Sequence, residues 1–202
     1  MSTLLQKSSK KSLIREYGEA LLVALVLAFV IRTFVVQAYK IPSESMVETL
    51  LVGDHLLASK FAYGIKIPFT HSYIYRGDDP AYGDIIIFEY PNDPSVDYIK
   101  RVIGLPGETL SFKNGYTYVN GEKLDESYLP TQGITTLPDS MADKTFTVPE
   151  GCMFVMGDNR TGSNDSRLLG EPYIPIEAVQ ARMLVAISVG SDQSWQGVRW
   201  IG

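Results

Sequence analysis

Short runs of apolar residues, some alternating with polar positions and some continuous, recur along the chain from about residue 55 onward. The runs are rich in Val, Ile, Tyr and Phe, and Gly, Pro and Asn lie between them. Runs of this length and composition are typical of β-strands. We therefore predict strands at residues 55–63, 84–90, 98–103, 108–112, 116–119, 145–148, 153–156 and 183–189.

The turns between these runs favour antiparallel pairing. Asn114-Gly115 lies between two alternating runs, and it indicates a hairpin because Asn-Gly readily adopts positive φ. Parallel strands would need crossovers of about a dozen residues, usually helical, and only residues 176–180 suggest a short helix. The predicted fold class is therefore mainly β, an antiparallel and barrel-like domain. Residues 123–143, which contain Pro130, Gly133, Pro138 and several Ser and Thr, are interpreted as a surface excursion.

The N-terminal segment has a different pattern. Four basic residues lie among the first 17 positions, and residues 20–31 follow without a charge. A helix needs about 20 residues to cross a bilayer, so the span is long enough only if Arg32 is tolerated near its end. The predicted organisation is a cytoplasmic basic tail at residues 1–17, a transmembrane anchor at residues 18–39 and an exported β-rich domain at residues 40–202.

A cleavable signal peptide is the alternative for the same segment. A basic start, an apolar run and the small-residue pattern Val36-Gln37-Ala38 fit that template as well. The retained anchor is favoured because the candidate chemistry begins at Ile41, and cleavage after Ala38 would leave it at a frayed end.

Charge and composition exclude some kinds of function. The net charge of -5 and the lack of a clustered basic face argue against nucleic-acid binding. The chain has two His and one Cys, so a His-rich metal site is not expected. The single Cys cannot form an intramolecular disulfide and does not indicate a redox compartment.

A candidate catalytic pair combines a serine with a lysine. A serine hydroxyl needs a base to take its proton, and a lysine can serve when burial lowers its pKa. Lys100 lies in a predicted strand among apolar residues, and alternation would then turn Arg101 toward solvent. From local pattern alone, however, Lys100-Arg101 also fits two exposed charges, and Ser43-Glu44-Ser45 fits a turn or a cap. Spacing therefore does not identify the pair.

Several segments, in order, resemble the type I signal peptidases, also called leader peptidases, a family of Ser/Lys peptidases. The resemblance covers nearly the whole chain, and no single segment would suffice for it. It rests on the apolar N-terminal segment followed by IPSESMVETL (41–50), KFAYGIK (60–66), GDIIIF (83–88), YIKRVIGLPG (98–107) and GDNR (157–160) with Ser163, Asp165, Ser166 and Arg167.

The resemblance implies a role for each matching residue. Ser45 matches the nucleophile and Lys100 the general base, while Ser43 joins the backbone N–H of Ser45 in the oxyanion hole. Ser163 matches the serine that orients the lysine amine. Asp165 and Arg167 match a supporting ion pair. Residues 158–160 match a polar turn that braces the site.

The resemblance also implies a substrate and a location. Substrates would be signal peptides of exported pre-proteins, bound as an added strand and cut after an Ala-x-Ala pattern. The enzyme would lie in the bacterial inner (plasma) membrane, contact the lipid bilayer, and use no metal or other cofactor. Its shallow substrate pockets would be lined by Tyr39, Ile41, Pro42, Met46, Leu50, Tyr98 and Ile99.

The chain departs from the family pattern at a few positions. Glu44 stands where many members have Gly, Glu48 replaces a usual Pro, and Thr161-Gly162 differs from a commoner acidic residue and Asn. Two rival functions remain open. One is a self-cleaving peptidase like the LexA-like repressors, which would carry a DNA-binding module instead of the apolar segment. The other is an anchored domain that binds exported peptides without cutting them.

Overall fold

The computed structural model describes residues 13–47, 49–66, 73–129, 144–189 and 195–200. Its described part is mainly β, as predicted, with one α-helix, α1 (Leu13–Val30), followed by a π-helical turn, Ile31–Val35. A 3-10 turn, Ile176–Ala178, lies where the short helix was expected. The strands, in chain order, are β1 (Val36–Lys40), β2 (His55–Ser59), β3 (Gly64–Lys66), β4 (Tyr73–Arg76), β5 (Ile85–Tyr90), β6 (Asp93–Gly104), β7 (Thr109–Lys113), β8 (Tyr116–Val119), β9 (Glu122–Lys123), β10 (Thr145–Thr147), β11 (Cys152–Met156), β12 (Ile174–Pro175), β13 (Val179–Val189) and β14 (Trp195–Trp200).

Each of the eight predicted strand regions contains a strand. Six strands lie outside those regions, namely β1, β3, β4, β9, β12 and β14, of which β9 and β12 have only two residues each. The hairpin prediction is confirmed: β7 and β8 pair around Asn114 and Gly115, whose φ angles are 52° and 80°. Asn-Gly supplies both positive φ angles with little strain, which is why this hairpin could be predicted from sequence.

The largest sheet is antiparallel and open. Its strand order is β1-β2-β13-β5-β6-β11-β12, with β14 also paired to β13. The end strands of this order, β1 and β12, are not paired with each other in the part of the chain that the structure describes. The described part of this sheet does not close into a barrel, so that part of the expectation was wrong. The predicted antiparallel pairing is confirmed. A smaller sheet has the order β10-β7-β8-β9, and β3 pairs with β4.

The central strands β5 and β6 are covered on both faces. Residues 85–88 of β5 and residues 100–104 of β6 are all buried. Strands covered on both faces have continuous apolar runs rather than alternation, which explains the run Ile85-Ile86-Ile87-Phe88. In the register of the pair, Ile86 lies opposite Lys100 and Ile85 opposite Arg101. Both basic side chains are therefore carried into the interior.

The structure does not contain a helix over the whole of residues 18–39, where a transmembrane helix was predicted. Helix α1 ends at Val30, and residues 36–39, which were assigned to the anchor, form β1 together with Lys40 and pair with β2. None of the helices in the described residues combines the length and the apolar character that crossing a membrane requires. Residues 1–12 of the predicted basic tail lie outside the described residues.

The predicted surface excursion falls into two parts. Residues 130–143 lie outside the described residues, as does Glu48. The part before them is mixed: Lys123, Asp125 and Ser127 are exposed, whereas Glu126 and Leu129 are buried. The hydroxyl of Tyr128 accepts a hydrogen bond from Arg160. The start of this segment is therefore anchored to the domain by alternate side chains while the others face the surface.

Candidate active site

The loop between β1 and β2 carries Ser45 and is fixed at both ends. The N–H of Ile41 donates to the carbonyl of Asp54 (3.0 Å), and the N–H of Gly53 donates to the carbonyl of Ile41 (3.0 Å). Met46 and Leu50, on either side of the loop's turn, are buried against the core. The loop thus presents the half-buried Ser45 from a rigid support rather than from a mobile tip.

Lys100 approaches Ser45 from strand β6. Its Nζ lies 2.8 Å from Oγ of Ser45 and 3.0 Å from the carbonyl oxygen of Ile99, and the side chain is buried. The Nζ also lies 5.1 Å from the centre of the Tyr98 ring. The 2.8 Å separation is a hydrogen-bond distance, so a proton can pass directly between the serine and the lysine.

Burial changes the acidity of this lysine. The loss of water around the amine lowers the pKa of Lys100 to about 8, against a partial opposing effect from Asp165 and Asp158. Arg167 acts in the same direction as burial. An unperturbed lysine has a pKa of about 10.4, so the fraction of neutral amine at pH 7 rises roughly 100-fold or more, to about a tenth. Only the neutral form can accept a proton from Ser45.

The segment between β11 and β12 closes the site from another side. Arg167 donates to both carboxylate oxygens of Asp165, over 2.8 and 2.7 Å, and both side chains are buried. Asp165 also accepts the N–H of Gly157 at 2.9 Å. Burial alone would raise the pKa of Asp165, but these contacts outweigh it and hold the pKa below its ordinary value. Asp165 therefore remains charged and holds Gly157 at the end of β11.

The two accessory serines lie near the pair in different ways. Oγ of Ser43 is 3.3 Å from Oγ of Ser45, and Ser43 is exposed. Oγ of Ser163 is buried and has no hydrogen-bond partner among the described residues. The hydrogen bond expected from Ser163 to the amine of Lys100 is therefore not made in this structure. Its hydroxyl lies close to Gly157 and near the carboxylate of Asp165, whose pKa it helps to lower.

Arg101 is not solvated, and the prediction that it would face water was wrong. It is buried and binds both oxygens of Asp158, at 2.9 and 2.7 Å, and Asp158 also accepts the hydroxyl of Thr49 at 2.6 Å. Alternation does place Lys100 and Arg101 on opposite faces. The expectation failed because both faces of β6 are covered, so Arg101 needed an ionic partner instead of water.

The turn at residues 157–160 directly contacts the loop that carries Ser45, which we call the nucleophile loop. The N–H of Asn159 donates to the carbonyl of Ser45 (3.1 Å), and its side chain donates to the carbonyl of Glu44 (3.1 Å). Gly157 lies so close to this loop that a Cβ there would collide with the carbonyl oxygen of Ser45 and with the side chain of Ser163. Position 157 therefore admits no side chain unless the loop or the turn moves.

A cavity of about 370 Å³ opens beside the Ser45–Lys100 pair. Five of the residues predicted to bind substrate line it: Ile41, Pro42, Met46, Tyr98 and Ile99. The other two do not line it. Leu50 is wholly buried in the core, and Tyr39 is half-buried, with its hydroxyl 3.4 Å from the side-chain oxygen of Gln180.

Sequence reasoning missed part of the cavity wall. Val96 and Asp97 line it because β6 begins at Asp93, five residues before the predicted strand start. Gly162 and Asn164 also line it, from the segment after β11. The alternating apolar and polar residues from Val96 to Ile99 were the available signal for a longer strand. Among the described residues, no cluster of three or more His, Cys, Asp or Glu side chains could hold a metal ion.

The geometry allows acyl transfer. A hydroxyl lies at hydrogen-bond distance from a buried amine of lowered pKa, and a cavity beside them leaves room for a substrate. These are the parts that nucleophilic catalysis by serine needs: a nucleophile, a base within reach and a place for the acyl group.

Comparisons with known proteins show which family this chain resembles. A family model described as "Signal peptidase, peptidase S26" matches residues 14–187. A signal peptidase I from Pseudomonas aeruginosa is 38% identical over 218 residues, covering 95% of this chain and 77% of that protein. One from Pseudomonas fluorescens is 38% identical and covers 86% and 69%. A probable signal peptidase I-1 from Synechocystis is 40% identical, covering 78% of this chain and 74% of that protein.

Proposed function

We propose that this chain, which belongs to the signal peptidase family, peptidase S26, removes signal peptides from exported pre-proteins with Ser45 as nucleophile and Lys100 as general base. Its family and its relatives make it a hydrolase, a serine peptidase of the type I signal peptidase class. The observation that carries the assignment of the pair is the 2.8 Å contact between the buried amine of Lys100 and the hydroxyl of Ser45.

The proposed reaction begins when the neutral Nζ of Lys100 takes the hydroxyl proton of Ser45. Oγ of Ser45 then attacks the carbonyl carbon before the scissile bond and forms a tetrahedral oxyanion. The hydroxyl of Ser43 and the N–H of Ser45 donate to that oxyanion, and such donors contribute about 2.7 to 4 kcal/mol each to transition-state stabilisation. The Lys100 ammonium returns the proton to the departing amine, which leaves the signal peptide as an ester on Ser45.

Hydrolysis of the ester completes the cycle. Lys100, again neutral, takes a proton from a water molecule, and the hydroxide attacks the ester carbonyl. Collapse of the second tetrahedral intermediate breaks the bond to Oγ, which regains a proton from Lys100. Ser163, whose buried hydroxyl lies beside Gly157, would orient the amine, and the ion pair of Asp165 with Arg167 would hold the surrounding segment in place. No step requires a metal or another cofactor.

The proposed substrate lies along β6 and the nucleophile loop. An extended peptide would add to the exposed backbone there by β-augmentation and place a side chain in the cavity beside Ser45. The apolar lining of Ile41, Met46 and Ile99 suits uncharged side chains. The cavity has a volume of about 370 Å³, and in the proposed complex it would hold part of the peptide backbone as well as the side chain before the cut. We therefore propose cleavage after small residues in an Ala-x-Ala pattern.

The catalytic pair is tested by incubating the purified protein with a pre-protein whose signal peptide ends in Ala-x-Ala. Wild type is expected to release the mature protein, while Ser45→Ala and Lys100→Arg should each lose at least about 1,000-fold in kcat/KM. The guanidinium of the second variant cannot deprotonate in this pH range. Ser111→Ala and Lys113→Arg, on the distant hairpin, serve as matched controls and should cleave normally. Substantial turnover by Lys100→Arg would contradict the assignment.

The pocket is tested by changing only the substrate. Replacing the Ala just before the cut with Phe should reduce kcat/KM at least about 100-fold, because in the proposed complex the bound peptide backbone fills most of the cavity and leaves space beside Ser45 for a methyl group but not for a ring. The matched change at the residue between the two Ala positions should have an effect of less than about fivefold, since that side chain would point away from the enzyme. Equal turnover of the Ala and Phe substrates would rule out the pocket as proposed.

We also propose that the enzyme works at the bacterial plasma membrane with its peptidase domain on the outer side. The support is the group of basic residues before helix α1, together with the exposed apolar surface of that helix at Leu21, Leu22, Leu25 and Phe29.

Protease added to spheroplasts should digest the chain beyond residue 40 and leave a cytoplasmic marker protein intact. A domain that resists protease until the spheroplasts are lysed, yet is digested afterwards, would contradict this orientation.

A further inference from the structure

A cluster of polar side chains packs against the turn at residues 157–160, and none of its members lines the cavity beside Ser45. Glu126 forms an ion pair with Arg160, and both side chains are at least 96% buried. The hydroxyl of Tyr128 accepts a hydrogen bond from Nη2 of Arg160 (3.1 Å) and donates to Oε1 of Glu126 (3.2 Å). Burial raises the pKa of Tyr128, so this hydroxyl keeps its proton. We refer to these three residues as the Glu126–Tyr128–Arg160 cluster.

The cluster is connected to the catalytic pair by two short paths. Nε of Arg160 donates to the carbonyl of Gly157 at 3.0 Å, and Gly157 packs against the carbonyl of Ser45 without room for a methyl group. The ring of Tyr128 lies 4.1 Å from the Arg101 guanidinium, next to Lys100 in β6. One path therefore reaches the nucleophile loop and the other reaches the strand that carries the base.

Stability alone does not account for this arrangement. Removing a glutamate, an arginine and a tyrosine hydroxyl from water is costly, and a buried ion pair often contributes no more stability than well-packed apolar residues. What the ion pair does supply is direction, since the planar guanidinium donates at fixed angles to Glu126, Tyr128 and Gly157 together. The cluster therefore determines where the carbonyl of Gly157 lies.

We propose that Glu126 and Tyr128 are positioning residues for the Ser45–Lys100 pair, acting through Arg160 and Gly157. The inference rests on the proposed function, because it concerns the rate of that reaction. Displacing Gly157 by even a fraction of an ångström shifts the loop of Ser45, and a misplacement of about 1 Å between reacting groups can reduce rate by about 100-fold. None of the three residues lines the cavity beside Ser45, so substrate binding should be spared.

The test compares kcat and KM for wild type, Glu126→Gln and Tyr128→Phe on the same pre-protein. Glu126→Gln keeps the shape but removes the charge that holds Arg160, and kcat should fall about 10- to 100-fold with KM within about twofold. Tyr128→Phe keeps the ring over Arg101 and removes only the hydroxyl, so kcat should fall about three- to tenfold. Should Glu126→Gln fail to fold, the milder Tyr128→Phe carries the test.

A pH profile separates positioning from a general loss of stability. A looser turn would admit water to Lys100, while Asp158, Asp165 and Arg167 would still face its amine. Because burial is what lowers the pKa of Lys100, this water would raise the pKa, and the acid limb of kcat/KM should move toward alkaline pH in both variants. The control is Phe146→Leu, a change in the core beside Phe112 and Phe154. It should lower the melting temperature without changing kcat or the pH midpoint of the acid limb of kcat/KM.

Each outcome separates the inference from the proposed function. If wild type cleaves and both variants behave like Phe146→Leu, the positioning role is wrong while the catalytic pair stands. If wild type does not cleave the pre-protein at all, the proposed function fails first, and the positioning role fails with it.

Discussion

The whole site depends on the removal of water from one lysine. Lys100 can act as a base only because strand β6 carries its amine into the interior, where burial lowers its pKa to about 8. Three features follow from this constraint. The strand must be covered on both faces, Arg101 beside it must receive an ionic partner inside the protein, and Ser45 must be brought to the lysine by a fixed loop. The apolar runs of β5 and β6 allow the strand to be covered. Asp158 is the ionic partner of Arg101, and the backbone contacts between Ile41 and Asp54 fix the loop of Ser45.

Keeping a lysine in this state lowers the stability of the protein. The unfolded chain binds a proton at position 100 up to a pH of about 10.4, whereas the folded chain releases it near 8, so the free energy of unfolding rises with pH between these values. Below about pH 8 the cost is full and amounts to about 3 kcal/mol. Core burial elsewhere offsets it, notably in the clusters that contain Phe88, Leu110 and Phe154.

Sequence reasoning succeeded where a single short segment determines the structure. Alternation and Asn-Gly turns predicted the main strands and the β7–β8 hairpin, because both depend on neighbouring residues. The pair of Ser45 and Lys100 came from the family resemblance rather than from spacing, since a turn serine and a strand lysine have many structural uses. Arg101 was misjudged because alternation does not show whether a second layer covers a strand.

Other features depend on contacts between distant parts of the chain. Tyr128 and Arg160 are 32 residues apart, and nothing local in either segment indicates the contact. Strand β1 was missed for a related reason: Val36-Gln37-Ala38-Tyr39-Lys40 follows an apolar run directly, and only its pairing with β2 marks the end of the helix. The helix predicted over residues 18–39 therefore ends earlier in the structure, at Val30.

The most direct measurement is the titration of Lys100 itself. Lysine labelled with carbon-13 at Cε gives one NMR resonance per side chain, and comparison with Lys100→Arg identifies the one that belongs to position 100. We expect that resonance to titrate with a pKa of about 8, well below the ordinary value of about 10.4 for a lysine in water. The acid limb of kcat/KM should have the same midpoint. A Lys100 resonance that titrates at its ordinary value would contradict the account, because no neutral amine would then be available to activate Ser45.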